Sequence, residues 1–281
     1  MTSAILGLLA ETSLHPGSGQ TTGVIDLPVA REAATDYPVI VGSSMKGALR
    51  DRAEQYKQEK PGADLAVDEI FGNPNGAGAL AVTDARLLLL PVRSLHGHYK
   101  WVTCPYLLER YRRDCSLAGL TWGETGEIPV LQQGQALTAA GPDHLYLEEL
   151  SFAVKSFSME AIATAVSPLI YHAPVKKRLA TSMVLISDDE FAYFARYGLA
   201  VNARNVLDND KKISTNLWYE ETLPPDSLFY ALLMARPGKE KYLAQLKQLF
   251  TERPYLQVGG NETVGQGWCA VTWLSEGGSE R

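Results

Sequence analysis

Cysteine is scarce: Cys104, Cys115 and Cys269 are the three in 281 residues. An odd count without C-x-x-C spacing excludes a disulfide framework and a structural zinc site, and it fits a reducing compartment. Long apolar runs are missing too. The opening run Ala4 to Ala10 has no basic segment before it, and nothing approaches the roughly 18 apolar residues of a spanning helix. The expectation is a soluble, cytoplasmic chain with no membrane partner. An excess of positive charge is absent: 26 Lys and Arg against 32 Asp and Glu leave a net charge of −6. That excludes a generic nucleic-acid coat, whose affinity comes from many phosphate contacts, but it leaves room for a local basic stripe. There is no G-x-S-x-G, no H-E-x-x-H, and no G-x-G-x-x-G after the first strand. Gly260 and Gly265 have the spacing of a P-loop, but Gln266-Gly267 stands where Lys and then Ser or Thr belong, so nucleotide hydrolysis is excluded. No repeat or long low-complexity tract occurs.

What remains is a chain with 46% apolar residues, enough for a sizeable core, and a length suited to one elaborated domain over 1–281. Residues 4–13 read as a buried strand, 24–26 as a short strand, and 42–59 as a helix opened by serine capping. Residues 79–93 pair with 98–103, and 105–118 is helical. The segment 123–145 has no periodicity and reads as an irregular insertion. Helices follow at 158–171 and 188–198, and a long hairpin at 200–207 and 214–222 around Asp208-Asn209-Asp210-Lys211. The chain closes with a strand at 226–235, a helix at 238–251, strands at 255–258 and 268–274, and a polar tail. The fold expectation is α+β: an RRM-like, ferredoxin-like palm (about 1–103 and 226–274) with an inserted helical region and a thumb β-hairpin within 104–225.

Several groupings carry chemistry. Gly42-Ser43-Ser44-Met45-Lys46-Gly47-Ala48-Leu49-Arg50 puts Lys46 and Arg50 on one helix face near its start, where free N–H groups, the helix dipole and two cations favour a phosphate. An ordinary capped helix with a solvated basic stripe has the same pattern. The loop 259–267 holds Gly259, Gly260, Gly265 and Gly267, which lets backbone approach a ligand closely or simply turns a hairpin. His15 and Asp26 flank a glycine-rich excursion after the first strand. A carboxylate can take a proton from an RNA 2′-hydroxyl or hold a metal, and a histidine can shuttle protons; a solvated turn would use the same residues. Trp218-Tyr219-Glu220-Glu221 adds aromatics and two acids. Arg110, Arg112, Arg113 and Lys176-Lys177-Arg178 are candidate phosphate contacts, and His96-Gly97-His98 reads as a solvated turn rather than a metal fragment.

Together, His15-Pro16-Gly17-Ser18-Gly19, Gly23-Val24-Ile25-Asp26-Leu27-Pro28, the 42–50 segment and the 259–267 loop resemble the RAMP superfamily. Within it the chain is similar to the repeated backbone subunit of the type III-B CRISPR effector, the Cmr complex; Pro91-Val92-Arg93-Ser94-Leu95 and Leu217-Trp218-Tyr219-Glu220-Glu221 match as well. The resemblance implies a helical stack of copies on a CRISPR guide RNA, alongside other Cmr subunits, that cuts complementary target RNA at regular intervals with a divalent metal ion, Mg or Mn. It implies that Asp26 is essential for cleavage and is the metal-binding residue, with His15 and Glu220 or Glu221 at the catalytic site. Ser43, Ser44, Lys46, Arg50 and the four loop glycines would bind RNA. The alternatives are a non-catalytic guide-binding scaffold and a stand-alone guide-processing ribonuclease.

Overall fold

A computed structural model describes residues 2–122, 128–139, 141–208, 210–211 and 213–275. The expected tail beyond 275, residues 123–127 of the middle segment and residue 209 of the hairpin turn lie outside them.

Strand β1 (Ser3–Ala10) is buried along its whole length, as expected of an apolar run covered on both faces. A Cβ on its Gly7 would lie 2.3 Å from the Leu169 carbonyl oxygen, so glycine admits the turn at 167–169 against the strand. A long excursion leads to β2 (Val39–Ile40) and α1 (Gly42–Glu59), which buries Met45, Leu49, Arg52 and Ala53 along one face. After α2 (Val67–Phe71) come the small strands β3 (Gly72–Asn73), β4 (Gly76–Ala77) and β5 (Leu80–Val82), then β6 (Ala85–Arg93) and β7 (Tyr99–Thr103). Helix α3 (Pro105–Leu117) opens on proline, whose missing N–H would have no helical partner anyway.

The middle of the chain corrects the sequence reading. Strand β8 (Gln135–Thr138) and the start of β9 (His144–Leu147) stand where an irregular insertion was expected over 123–145, and β10 (Leu150–Ser156) follows where no element was expected. Helix α4 (Glu160–Val166) stops short of 171, and an unforeseen helix, α5 (Ala173–Ser182), leads into β11 (Met183–Leu185). Helix α6 (Asp188–Tyr197) starts at Ser187, whose hydroxyl accepts the Glu190 N–H. The chain ends with β12 (Ala200–Leu207), β13 (Ser214–Thr222), β14 (Leu228–Ala235), α7 (Lys241–Lys247), β15 (Tyr255–Gln257) and β16 (Trp268–Ser275). The expected strand at 24–26 is irregular backbone.

Twelve strands form one mixed sheet in the order β15-β16-β1-β14-β6-β7-β11-β8-β10-β9, with β2 beside β6 and β5 beside β14. The β16-β1-β14-β6 part is antiparallel throughout; β7–β11 and β8–β10 are parallel. The α/β architecture thus surrounds one mixed sheet. Strands β12 and β13 pair with each other as a separate ribbon, and most of its side chains are exposed.

Candidate functional site

The excursion after β1 lies along the inner end of the β12–β13 ribbon. Leu14 and Leu223 exchange backbone hydrogen bonds, Leu27 N–H donates to the Tyr219 carbonyl at 3.0 Å, and Glu221 N–H donates to Leu27 at 3.0 Å. Gly17 pairs with Val29, closing the excursion on itself.

His15 sits beneath this seam and is 7% exposed. Its Nδ1 lies 2.7 Å from the Glu221 carbonyl oxygen. A carbonyl only accepts, so Nδ1 carries a proton. A Cβ on Gly17 would approach Nε2 to 2.7 Å. The glycine-rich loop covers the same histidine: Gly260 N–H donates to the His15 carbonyl at 2.9 Å and Gly267 N–H to that of Ser13 at 2.9 Å. Gly259 has φ +85°, and a Cβ there would stand 2.5 Å from the His15 carbonyl oxygen. Glycine is therefore needed both for conformation and for approach.

The two glutamates of β13 are buried at 2% and 3% exposure. Glu220 takes Arg204 at 3.1 Å and the Asn261 side-chain amide at 2.7 Å. Glu221 takes the Arg31 guanidinium at 2.7 Å through one oxygen and the Val29 N–H at 3.0 Å through the other. Arg31 further donates to the carbonyls of Asp36 at 2.9 Å and Ala195 at 2.8 Å. Each glutamate is thus matched to a cation and shapes the loop around it.

Asp26 differs. It is half-buried, and its Oδ2 accepts the Tyr219 N–H at 2.8 Å. Among the described residues it has no cationic partner, and its other oxygen takes no hydrogen bond. The site therefore brings together His15, Asp26, Glu220, Glu221, Gly259 and Gly260, but leaves one carboxylate available. Among the described residues, no group of three or more His, Cys, Asp or Glu could hold a metal ion. Arg31, Arg204 and Asn261 were not singled out from sequence; isolated residues whose partners lie 190, 16 and 41 positions away carry no local signal.

The start of α1 is a separate place. Val41 is its N-cap, without a side-chain bond, and Ser43 and Ser44 are exposed. The expected serine cap is replaced by Asp84, whose Oδ1 takes the Gly42 N–H at 2.6 Å. That carboxylate already occupies part of the positive helix end. Lys46 borders a groove formed with residues 71–78 and has no ion-pair partner among the described residues. Arg50 is engaged with Glu54 at 2.8 Å, Asp68 at 2.8 Å and the Gly72 carbonyl at 2.8 Å; those two carboxylates raise its pKa. This helix start and the glycine-rich loop rest on different neighbours: Asp84 for one, Ser13, His15 and Glu220 for the other. Arg110 is also corrected. It is buried and pairs with Glu32 at 2.6 Å, so it holds the core rather than phosphate. Arg112 and Arg113 are exposed, as are His96 and His98 at their turn.

A model of the RAMP superfamily matches residues 8–270. The CRISPR system Cmr endoribonuclease Cmr4 of Pyrococcus furiosus is 35% identical over 292 aligned positions, covering 97% of this chain and 96% of that protein. The crystal structure of oligomeric Cmr4 from Pyrococcus furiosus superposes with a TM-score of 0.78 at 31% identity, covering 99% of this chain and 100% of that one. A chain of the type III-B Cmr-beta complex bound to cognate target RNA, at 23% identity and a TM-score of 0.76 over 97% of both chains, shares the fold.

Proposed function

The chain belongs to the RAMP superfamily, and on that footing we propose that it is a backbone subunit of a type III-B CRISPR ribonucleoprotein. It binds guide RNA, stacks with further copies of itself and with other Cmr subunits, and cleaves complementary target RNA at regular intervals in antiviral defence. The observation that carries the cleavage reading is the state of Asp26: a carboxylate pinned by the Tyr219 N–H, uncompensated by any cation among the described residues, at the root of an exposed ribbon. The Cmr endoribonuclease Cmr4 of Pyrococcus furiosus matches this chain over essentially its whole length.

The antiparallel order β16-β1-β14-β6, with α1 between β1 and β6 in sequence and α7 between β14 and β16, supports an RRM-like palm. The isolated β12–β13 ribbon supports a thumb, whose exposed Leu217 and Tyr219 would meet bases. We read 1–281 as one elaborated domain. Lys46 offers a free cation to the guide, while Arg50 would first have to leave its two carboxylates.

In the reaction, Tyr219 N–H orients the Asp26 carboxylate, leaving Oδ1 directed to RNA. Asp26 is a hard oxygen donor with no cationic side chain on it among the described residues, so it fits a divalent ion held by one carboxylate, with water and phosphate completing the shell. Such an ion, Mg or Mn, would supply charge stabilisation at the phosphorane. Without that role, the same carboxylate would take the proton of the attacking hydroxyl, a contribution of about 10²–10⁴-fold in rate. His15, Glu220 and Glu221 hold the two loops that frame this carboxylate. The test is to assemble the guide-loaded complex and map product ends on a complementary RNA. Evenly spaced ends are expected; binding without cutting would leave only a scaffold.

A further inference from the structure

Helix α5 carries Lys176, Lys177 and Arg178, all exposed. In a chain of net charge −6, three consecutive cations form a local excess. Arg178 is not loosely solvated. Its guanidinium lies 4.8 Å from the Trp101 ring centre and 5.7 Å from that of Tyr99. Both rings are themselves fixed: Tyr99 OH donates to Asp226 Oδ2 at 2.5 Å and Trp101 Nε1 donates to the Asp226 carbonyl at 2.9 Å. Burial and this carboxylate raise the Tyr99 pKa, keeping the phenol a donor. The carboxylate is thereby engaged, and Arg178 reaches it only at 3.5 Å. The result is a guanidinium held over two fixed rings and 47% exposed, with one nitrogen toward Asp226. The cation–π contacts hold the guanidinium in place at the surface, where its remaining N–H donors can meet an anion. Lys176 and Lys177 have no ion-pair partner among the described residues.

The platform adjoins the candidate site. Asp226 N–H donates to the Ala10 carbonyl at 2.7 Å, at the point where the excursion bearing His15 and Asp26 begins. His172, just before α5, lies 2.8 Å from Glu11 at the same point. The free cation of α1 rests instead on residues 71–78. We infer that the exposed cations Lys176, Lys177 and Arg178 of α5, with Arg178 held over Trp101 and Tyr99, bind the phosphate backbone of the target strand beside the cleavage site. This rests on the proposed function and extends its interface to a helix outside both RNA-binding loops.

The experiment compares guide-loaded complexes carrying Lys176→Ala/Lys177→Ala/Arg178→Ala, or Lys176→Glu/Lys177→Glu with Arg178 kept in place, against the unaltered complex. Guide retention, copies per complex and target-RNA affinity are measured across a salt series. If three phosphates are contacted, the log–log salt slope for target RNA falls by about 2, at about 0.7 per single-strand phosphate, and affinity drops at least about tenfold. Guide content and copy number stay unchanged. Unaltered target affinity and slope would overturn the inference. Lost guide would assign the face to the other strand, and lost copies with unchanged salt slope would assign it to a neighbouring subunit; either overturns it. Should the unaltered complex fail to bind or cut target, the proposed function fails instead.

Discussion

The carboxylate of Asp26 is held by the backbone N–H of Tyr219 at 2.8 Å, across 193 positions of sequence. This bond ties the one available acid of the site to the ribbon β12–β13. Its neighbours Glu220 and Glu221, one and two residues beyond the pin, are saturated with Arg204 and Arg31. Position along one strand therefore separates a supporting role from a chemical one.

Breaking the Arg31–Glu221 pair leaves a charge buried without compensation. Arg31→Ala is expected to destabilise the chain by about 3 kcal/mol or more, read as a lower urea midpoint. Because Glu221 also holds Val29 N–H, cutting by the assembled complex falls with it, while Arg31→Lys recovers part of both. A midpoint unchanged in Arg31→Ala would contradict the buried-pair reading.

The glycines of the 259–267 loop are unequal. Gly259→Ala meets the His15 carbonyl at 2.5 Å in addition to a φ of +85°. Gly265→Ala has the strained φ of +81° but nothing within 4 Å. The second is expected to cost about 1 kcal/mol with cleavage retained; the first costs clearly more and displaces His15. Denaturation midpoints and cleavage rates of the two variants check the order.

Lys46 and Arg50 are also unequal. Lys46→Ala is expected to weaken guide binding and to lower the salt slope by about one phosphate's share. Arg50→Ala removes a cation already shared by Glu54 and Asp68, so its effect on guide affinity is smaller. Equal effects would show that Arg50 leaves its carboxylates on binding.

Burial pushes the Cys115 thiol up to about 11 and that of Cys269 up to about 12, from an ordinary value near 9. A raised thiol pKa in the folded chain means stability is full below the unfolded value and is lost as pH climbs through the folded one. The urea midpoint is expected to fall between pH about 9 and about 11, and native thiols to resist alkylation at pH 8. Rapid native alkylation would contradict the burial.

Legibility followed locality. Helix α3 was readable over 105–118 because Pro105 and the spacing of Leu107, Leu108, Tyr111 and Cys115 act within one element, and the ribbon because its turn lies between two alternating runs. Strands β8 to β10 were missed: they are four to seven residues long, and β8 pairs in parallel with β10 rather than through a hairpin. Helix α5 hid behind a run of cations and a proline at 174 that marks a start rather than a break. In the site, His15, Asp26 and the glycines were visible as motifs. Their seating was not: His15 meets Glu221 across 206 positions, and Asp84, 42 residues from Gly42, replaced the local serine cap.

The central claim is that Asp26 is the acid that acts on RNA while its neighbours hold it in place. The direct measurement is single-turnover cleavage by the guide-loaded complex carrying Asp26→Asn, which keeps an acceptor for the Tyr219 N–H but removes the charge. A rate lowered at least about 10²-fold, with target affinity and copy number unchanged, is the predicted result; cleavage at the unaltered rate would contradict it.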